Sequence, residues 1–381
     1  ALGPVVVFGA SNFPLAFSTA GGDTAAALAA GCPVIVKSHP MHAATGELVS
    51  SAIVKAAEKT GMPNGVFSNL NSSGIEVGQE LIKNPNVKAV AFTGSLKGGR
   101  ALYDLAGKRD EPIPVFAEMG SINPVVILPK ALENRASDIA KTYAGSITLG
   151  TGQFCTNPGL ILAIKSAGLT NFVNTLAEEI VNIEPSCMLH PNIAGAYEKN
   201  KEKALSQNGI EVLGAHSKNV KPNFAKQVVT TVEGKTFLEN STLHHEVFGP
   251  YSLVVQCKDE AELREINSKL EGQLTGTVIS DENEISNYVS LIHELENRVG
   301  RIIFNGVPTG VEVCASMLHG GPYPASTDSR FTAVGVDSIK RFVRPFSFQD
   351  WPNELLPTEL KNSNPLGILR TVDGKKTLDK I

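Results

Sequence analysis

The stretch with the strongest chemical character is residues 150–159, which carries one cysteine among three glycines and a proline. This composition disfavours regular helix or strand and allows a tight loop in which a ligand can approach backbone amides closely. Cys155 is therefore predicted to be displayed on a loop, whereas an isolated cysteine is more often a buried and inert thiol. A displayed thiolate can attack a carbonyl carbon and form a covalent intermediate.

Two other side chains could assist a cysteine nucleophile. Glu118 follows an apolar run at 113–116 and precedes Gly120, so it is either a general base that activates water or a carboxylate at a surface strand end. Asn12 comes shortly after the first apolar run. Its amide could donate to an oxyanion together with the Cys155 backbone N–H, or it could cap a turn or helix.

The elements that would position these residues alternate between strand and helix. Segments 15–30 and 41–60 predict helices, and the apolar face of the second is predicted to consist of Leu48, Ala52, Ile53 and Ala56. Short apolar runs predict strands at 5–8, 34–36 and 87–92. Continuous apolar strands between helices predict a parallel sheet covered on both faces, so we expect a Rossmann-like α/β cofactor domain.

The alternation continues after residue 122 and predicts a second α/β domain. Its helices are predicted at 132–149, 169–182, 260–270 and 282–299. Its strands are predicted at 160–164, 253–256, 274–279 and 301–304. We therefore expect a cofactor domain over 1–122, a catalytic domain over 123–330, and an extended tail over 331–381 that contributes in part to oligomerisation.

Two features of the first domain suit a dinucleotide, although no GxGxxG fingerprint follows the first strand. Gly94 and Gly99 have GxxxxG spacing between a strand and a helix predicted at 100–108. The helix N-terminus could hold a pyrophosphate, and a simple glycine-rich turn is the alternative. Lys37 stands at the carboxyl end of a strand, where ligands of open α/β sheets bind, or it is a solvated lysine.

Composition excludes several other classes of function. The net charge of −4 gives no basic surface for nucleic acid. The five cysteines include no CxxC pair, which argues against a disulfide framework and a zinc site and favours a reducing cytoplasm. No apolar run is long enough to span a membrane. The run His244-His245-Glu246 lacks a third ligand, and adjacent strand residues point to opposite faces, so we predict no metal.

Six short segments, in this order, are similar to the aldehyde dehydrogenase superfamily over nearly the whole chain. They are Ser11-Asn12-Phe13-Pro14, Val36-Lys37, the run 92–99, Glu118-Met119-Gly120, Gly152-Gln153-Phe154-Cys155 and Glu246-Val247-Phe248-Gly249-Pro250. The resemblance implies the fold of that superfamily and an aldehyde substrate. Members carry about a hundred or more residues before the first matching segment, so we expect the chain to be a fragment of a longer protein, truncated at its N-terminal end.

The resemblance also implies the roles of the catalytic residues. Cys155 would attack the aldehyde to give a thiohemiacetal, which loses hydride to the nicotinamide and leaves a thioester. Glu118 would activate the water that hydrolyses the thioester, and its presence favours a free acid as product. Asn12 would donate to the oxyanion.

The cofactor residues follow from the same resemblance. Gly94 and Ser95 would lie against the pyrophosphate, Lys37 would contact the adenosine ribose, and Glu246 and Phe248 would hold the nicotinamide ribose and ring. Relatives that prefer NAD often carry a glutamate three residues after the lysine, where this chain has Pro40. We therefore expect NADP, with NAD possible, and with Ser38, His39 and His42 as candidate donors to a 2′-phosphate.

The region 305–324 is similar to one subgroup, the α-ketoglutarate semialdehyde (2,5-dioxovalerate) dehydrogenases and the bacterial NADP-linked fatty aldehyde dehydrogenases. In that subgroup a histidine at the position of His319 lies near the catalytic cysteine; a plain loop histidine is the alternative. We expect oxidation of α-ketoglutarate semialdehyde, whose carboxylate would need an arginine or a serine. A medium- or long-chain aliphatic aldehyde, or a truncated non-catalytic cofactor-binding module, are the alternatives. A homodimer or homotetramer is expected.

Overall fold

The computed structural model describes residues 1–381. The chain divides into two compact units, Ala1–Phe342 and Val343–Ile381, and each is described by itself. No helix in either unit has both the length and the apolar character needed to cross a membrane.

The first unit begins with a five-stranded sheet in which every neighbouring pair is parallel. Its strands are β1 (Val5–Phe8), β2 (Val34–Lys37), β3 (Phe67–Leu70), β4 (Ala89–Thr93) and β5 (Val115–Glu118). Their spatial order is β3-β2-β1-β4-β5. The helices that connect them are α1 (Gly22–Ala29), α2 (Ala43–Lys59), α3 (Glu76–Lys83) and α4 (Leu96–Gly107). The predicted Rossmann-like α/β architecture is confirmed, and the strand order reverses between β1 and β4, where ligands of such sheets bind.

The helix predicted over 15–30 is shorter than expected. The backbone N–H of Ala10 donates to the carbonyl of Phe17 at 2.8 Å, which closes a loop, and α1 starts only at Gly22. The predicted apolar face of the next helix is wrong in part: Ile53 packs partly buried against the core of the first sheet, but Leu48 is 74% exposed, and the fully buried residues of α2 are Gly46 and Ser50. The small residue Gly46 allows close packing, because a Cβ there would lie 2.3 Å from the Ser38 hydroxyl.

The second half of the first unit is a seven-stranded sheet in the order β14-β13-β6-β7-β12-β11-β9. Only the pair β9–β11 is antiparallel. The strands of this half are β6 (Pro124–Ile127), β7 (Leu160–Ile164), β8 (Ser186–Cys187), β9 (Glu211–Ala215), β10 (Phe224–Ala225), β11 (Val228–Glu233), β12 (Tyr251–Cys257), β13 (Gln273–Ile279) and β14 (Val299–Phe304). The helices are α5 (Pro129–Thr148), α6 (Ala167–Asn182), α7 (Pro191–Leu205), α8 (Gly234–Glu239), α9 (Glu260–Lys269) and α10 (Val289–Glu296). Two short strands, β8 and β10, pair outside the main sheet.

The sheet buries apolar side chains on both faces, as expected for parallel strands flanked by helices. The predicted helix 282–299 is wrong in its first half. A 3-10 helix at Ile285–Tyr288 precedes α10, which covers only Val289–Glu296. The segment between Asn182 and Tyr251, which the apolar pattern left unassigned, contains α7, α8 and four strands.

After β14 the chain returns to the first sheet. The backbone N–H of Met119 donates to the carbonyl of Ala325 at 2.8 Å, and Glu118 forms an antiparallel bridge with Ser326. A 3-10 helix follows at Val336–Phe342, where Arg341 pairs with Asp23 at 2.7 Å. This return carries residues 319–327 past the end of β5. The domain boundary at 122/123 lies between β5 and β6, and the three-part division remains a prediction.

The second unit is mostly irregular. It contains 3-10 helices at Asn353–Leu355 and Thr358–Leu360 and an antiparallel hairpin, β15 (Arg370–Val372) and β16 (Lys375–Thr377). The guanidinium of Arg370 donates to the carbonyls of Lys361 and Asp379 at 2.7 and 2.9 Å. These bonds tie the hairpin to the turn before it and to the residues that follow it.

Candidate active site

Cys155 lies on a loop whose shape depends on glycine. Gly150, Thr151 and Gly152 all have left-handed backbone conformations, with φ of 55°, 60° and 64°. A Cβ on Gly152 would stand 2.2 Å from the carbonyl carbon of Gly249, so only glycine fits there. The loop after α5 is thus in backbone contact with the loop before β12, and two segments that are distant in the sequence form one structure.

Asn123 holds the same loop from the other side. Its side chain is fully buried, and its amide donates to the carbonyls of Cys155 and Asn157, both at 2.9 Å. Its amide oxygen accepts from the hydroxyls of Ser121 and Thr275 at 2.9 and 3.0 Å. Sequence reasoning missed this residue. Its signal was its position just before the strand of Pro124, five residues after Glu118.

The structure brings the predicted catalytic residues Cys155, Glu118 and His319 together. The Nε2 atom of His319 is 3.5 Å from the Cys155 Sγ and 3.1 Å from the Glu118 Oε1. Glu118 ends β5, and His319 lies on the return segment, where its backbone N–H donates to the Thr332 hydroxyl at 2.9 Å. We call Cys155, Glu118, His319 and Asn123 the cysteine corner.

Charges in the cysteine corner act on one another because the side chains are shielded from water. Glu118 is 7% exposed and His319 is 2% exposed, while Cys155 is half-buried. Desolvation raises the pKa of the Cys155 thiol, and the Glu118 carboxylate raises it further, whereas His319 lowers it. Burial alone would lower the pKa of His319, but Glu118 and Cys155 together raise it well above its usual value. The surroundings of His319 therefore favour its protonated form.

Asn12 reaches the same loop. Its Nδ2 donates to the carbonyl of Gln153 at 2.8 Å, two residues before Cys155. The neighbouring ring of Phe13 packs edge to face on Phe154, with centroids 5.2 Å apart. The loop after β1 is thereby anchored to the cysteine loop, and one Asn12 amide hydrogen is used in that bond.

Glu246 and Phe248 lie beside the cysteine corner. Both help to line a cleft together with Gly152 and Phe154. The Oε2 of Glu246 would be 2.7 Å from a Cβ on Gly120, so this glycine lets the carboxylate approach the end of β5. Burial raises the pKa of Glu246 to about 7, the Glu118 carboxylate adds to this rise, and a hydrogen bond from the Ser121 backbone opposes it.

A second group of predicted residues lies at the carboxyl ends of β2 and β4, and we call Lys37, Gly94 and Ser95 the cofactor edge. Ser95 caps α4, since its hydroxyl accepts from the backbone N–H of Gly98 at 3.2 Å. Gly94 and Ser95 are exposed. Gly99 is buried, and a Cβ there would meet the Met119 side chain at 2.7 Å, so this glycine packs α4 against the end of β5.

Lys37 is 9% exposed, and its Nζ donates to the carbonyl of Ser72 at 3.0 Å. Desolvation lowers its pKa. The side chain of Ser38 is buried against Gly46, and its hydroxyl has no hydrogen-bond partner. Pro40 is exposed and begins a short 3-10 helix.

The two histidines after Lys37 have different surroundings. Burial, followed by the charges of His42 and Lys37, lowers the pKa of His39 to about 4. The Nε2 of His42 contacts the carbonyl of Ala10 at 2.9 Å. His39 is therefore neutral at pH 7, and His42 is engaged with the first loop.

The chain is similar to known proteins over almost its whole length. Residues 1–336 match the model of the aldehyde dehydrogenase family. The chain is 50% identical over 374 residues to the alpha-ketoglutaric semialdehyde dehydrogenase 2 of Azospirillum brasilense, which covers 98% of this chain and 71% of that protein. It is 46% identical over 377 residues to the alpha-ketoglutaric semialdehyde dehydrogenase of Acinetobacter baylyi, with 99% and 71% covered.

Solved structures show the same fold at low identity. The 1-pyrroline-5-carboxylate dehydrogenase from Thermus with bound NAD has a TM-score of 0.74 and 22% identity over 90% of this chain and 64% of that one. The glyceraldehyde-3-phosphate dehydrogenase of Methanocaldococcus jannaschii in complex with NADP has a TM-score of 0.74 and 21% identity, with 90% and 71% covered. From the matched family model and these relatives, the chain belongs to the aldehyde dehydrogenase family, whose members are NAD(P)-dependent oxidoreductases.

Proposed function

We propose that this protein oxidises α-ketoglutarate semialdehyde to α-ketoglutarate with NADP⁺ through a thioester on Cys155. The observation that carries the proposal is the cysteine corner, in which one imidazole nitrogen lies between a thiol and a carboxylate. The substrate is inferred from the two curated relatives at 50% and 46% identity, both named as dehydrogenases of that aldehyde.

In the first half of the reaction, the Cys155 sulfur attacks the aldehyde carbon and a C–S bond forms. The positive charge of His319, 3.5 Å from the sulfur, favours the thiolate, which burial and Glu118 disfavour. The remaining Asn12 amide hydrogen and the Cys155 backbone N–H are the donors for the oxyanion. A bound oxidised nicotinamide would supply the acceptor for the hydride that the thiohemiacetal carbon loses as the thioester forms.

In the second half, water cleaves the thioester. Glu118 contacts His319 through Oε1, which leaves Oε2 to take a proton from the attacking water. The water oxygen bonds to the acyl carbon, the C–S bond breaks, and the free acid leaves with the thiol restored. Because a single nitrogen of His319 serves both partners, it stabilises the thiolate before acylation and the carboxylate afterwards.

The residues of the cofactor edge fit a dinucleotide. The exposed start of α4 offers backbone N–H groups to a pyrophosphate, and Lys37 has an ammonium group for the adenosine ribose. Glu246 and Phe248, which line the cleft beside the cysteine corner, would hold the nicotinamide ribose and ring. No carboxylate occupies position 40, so nothing there repels a 2′-phosphate. This supports NADP⁺ over NAD⁺.

The decisive experiment measures reduced-cofactor formation from α-ketoglutarate semialdehyde and from aliphatic aldehydes with NADP⁺ and NAD⁺. We expect the semialdehyde and NADP⁺ to give the highest kcat/KM. Cys155→Ala should abolish oxidation while NADP⁺ still binds, because the nucleophile alone is lost. Turnover by Cys155→Ala would refute the covalent mechanism, and strong preference for NAD⁺ would refute the Pro40 argument.

We also infer that the protein is a cytoplasmic homodimer or homotetramer. The lack of paired cysteines supports a reducing compartment, and the expected tail over 331–381 supports subunit contacts. Sedimentation velocity of the full chain would give the oligomeric state.

A further inference from the structure

Arg301, on β14, is a guanidinium without an anionic partner. Its side chain is half-buried, and its Nε and Nη2 atoms are buried without a hydrogen-bond partner. Its remaining nitrogen, Nη1, contacts only the Met317 sulfur at 3.5 Å, and a thioether is a weak acceptor. A buried cation with unpaired donors is costly to a fold, so this arginine calls for a functional explanation.

The sheet register shows which way Arg301 faces. Arg301 is paired with Thr275 on β13, and residues in register on adjacent strands point to the same face of a sheet. The Thr275 hydroxyl donates to the Asn123 amide oxygen at 3.0 Å, and the Asn123 amide donates to the Cys155 carbonyl at 2.9 Å. Arg301 therefore lies on the face of the sheet that carries the cysteine loop.

Two further observations bring Arg301 close to the cysteine corner. Its contact Met317 lies two residues before His319, and the adjacent Gly300, on the opposite face of the strand, lies against the backbone of Gly320, since a Cβ there would be 1.9 Å from the Gly320 carbonyl oxygen. Strand β14 and the His319 segment are thus in backbone contact. Desolvation lowers the pKa of Arg301, while the negative charge of Cys155 opposes that decrease, as expected for groups within electrostatic range.

The free edge of the guanidinium has the geometry that a carboxylate needs. Nε and Nη2 form one side of the planar group and donate in parallel. Elsewhere in this protein the same two atoms of Arg330 bind both oxygens of Asp328, at 2.8 and 2.5 Å. An aliphatic aldehyde would leave both donors against hydrocarbon.

We propose that Arg301 binds the carboxylate of the aldehyde substrate through Nε and Nη2 and thereby selects short aldehydes that carry an acid group at the far end. This inference rests on the proposed function and deepens it, since it assigns the residue that distinguishes α-ketoglutarate semialdehyde from an alkyl aldehyde.

The test compares Arg301→Met with wild type on α-ketoglutarate semialdehyde and on pentanal, which has the same number of carbons and no charge. We expect kcat/KM for the semialdehyde to fall by about 10² or more, the loss typical of removing one partner of a buried charge pair. Activity on pentanal should change by less than about 3-fold or rise. The inhibition constant of α-ketoglutarate should rise by a factor similar to the fall in kcat/KM for the semialdehyde. Because α-ketoglutarate is not oxidised, its inhibition constant measures binding alone.

Two variants serve as controls. Arg298→Met removes an arginine three residues away whose Nη2 donates to the Ser268 carbonyl, and it should keep the wild-type ratio between the two aldehydes. Arg301→Lys keeps the charge but loses the parallel donors, so its kcat/KM for the semialdehyde should lie between the values of wild type and Arg301→Met. If Arg301→Met does not fold, Arg301→Lys carries the test.

The outcomes separate the two proposals. If wild type shows no preference for the semialdehyde over pentanal, both the substrate and the role of Arg301 are rejected. If wild type prefers the semialdehyde and the Arg301 variants retain that preference, only the assignment of Arg301 is rejected. An equal loss on both aldehydes would also reject it and would make Arg301 a support for the thiolate.

Discussion

The cysteine corner and the cofactor edge lie in one compact unit but are built differently. In the corner, each important atom is fixed by contacts from several segments. Asn123 holds two carbonyls of the cysteine loop, Gly152 rests on Gly249, and His319 bridges Cys155 and Glu118. At the edge, Gly94 and Ser95 are exposed at the start of an ordinary capped helix.

This difference separates two requirements of one enzyme. Covalent chemistry needs reacting atoms held within a fraction of an ångström, and the corner obtains this from both sheets and the return segment. Binding a dinucleotide needs backbone amides and a few side chains, which a strand end and a helix start provide. We therefore expect substitutions in the corner to affect the rate and those at the edge to affect cofactor affinity.

Among substitutions that compare the cysteine corner with the cofactor edge, Glu118→Gln should cause the largest loss of activity. The amide keeps the shape of the corner but cannot take a proton from water, so steady turnover should fall by about 10² to 10⁴. Acylation does not need this base, so the first burst of reduced cofactor should persist. Stopped-flow measurement of burst and steady rates provides the check.

His319 supplies the control for that experiment. His319→Gln removes the cation that favours the Cys155 thiolate, so its burst should slow as well. If Glu118→Gln instead lowers the burst rate and the steady rate equally, Glu118 acts on the Cys155 thiol and not on the water. The assignment of Glu118 as the base for hydrolysis would then be wrong.

A smaller effect is expected from Gly152→Ala. The left-handed backbone is strained for alanine, by about 1 kcal/mol or more, and the new Cβ meets the Gly249 backbone at 2.2 Å. The cysteine loop must shift, and a displacement of about 1 Å at a reacting atom can cost roughly 10²-fold in rate. Both kcat and the thermal midpoint should decrease.

Gly61→Ala is the matched control for Gly152→Ala. Gly61 has a similar φ of 70° but nothing within 4 Å of a Cβ, so it tests backbone strain without the clash. A decrease in kcat of the same size in both variants would contradict the idea that contact with Gly249 positions the cysteine.

The smallest effect concerns the pH dependence of Glu246, which lines the cleft beside the cysteine corner. With a pKa of about 7, its carboxyl gains a proton as the pH falls from 8 to 6 and loses acceptors for ribose hydroxyls. The KM for NADP⁺ should rise several-fold over that interval, and at most about tenfold per unit below 7. In Glu246→Gln the KM should be independent of pH.

Stability gives a second test of Glu246 with a definite sign. Its pKa is raised in the folded state, so the folded protein binds the proton more tightly, and stability is lost as the pH rises from about 4.5 to about 7. Glu246→Gln should therefore raise the thermal midpoint at pH 8 and have little effect near pH 5. An equal increase in the thermal midpoint at pH 5 and pH 8 would show that the Glu246 carboxyl is not desolvated.

Much of this organisation could be predicted from the sequence because it is local. The strand at 160–164 was located by its apolar run and matches β7, and the alternation of strand and helix gave the parallel sheet. The local sequence pattern does not predict burial correctly where tertiary packing determines which helix face is buried. Leu48 lies on an exposed helix face because Gly46, not an apolar residue, permits close approach.

The candidate site was predictable only in part for the same reason. Cys155 and Glu118 stand in short motifs, whereas Asn123 contacts Cys155, 32 residues away, and Arg301 pairs with Thr275 on the preceding strand. No spacing rule relates an arginine on one strand to a threonine on the next until the register is known. The sequence of segment 183–250 has no clear periodic spacing of apolar residues, because several of its strands are short or lie at the edge of the sheet.

The contact between Gly152 and Gly249 has a practical consequence for engineering. The two loops are nearly a hundred residues apart in the sequence, and their backbones are in contact. Neither loop can therefore be replaced by the loop of a relative without the other. A chimera with a relative should retain its fold at this point only when both loops come from the same parent, and libraries that vary one of them should yield few functional clones.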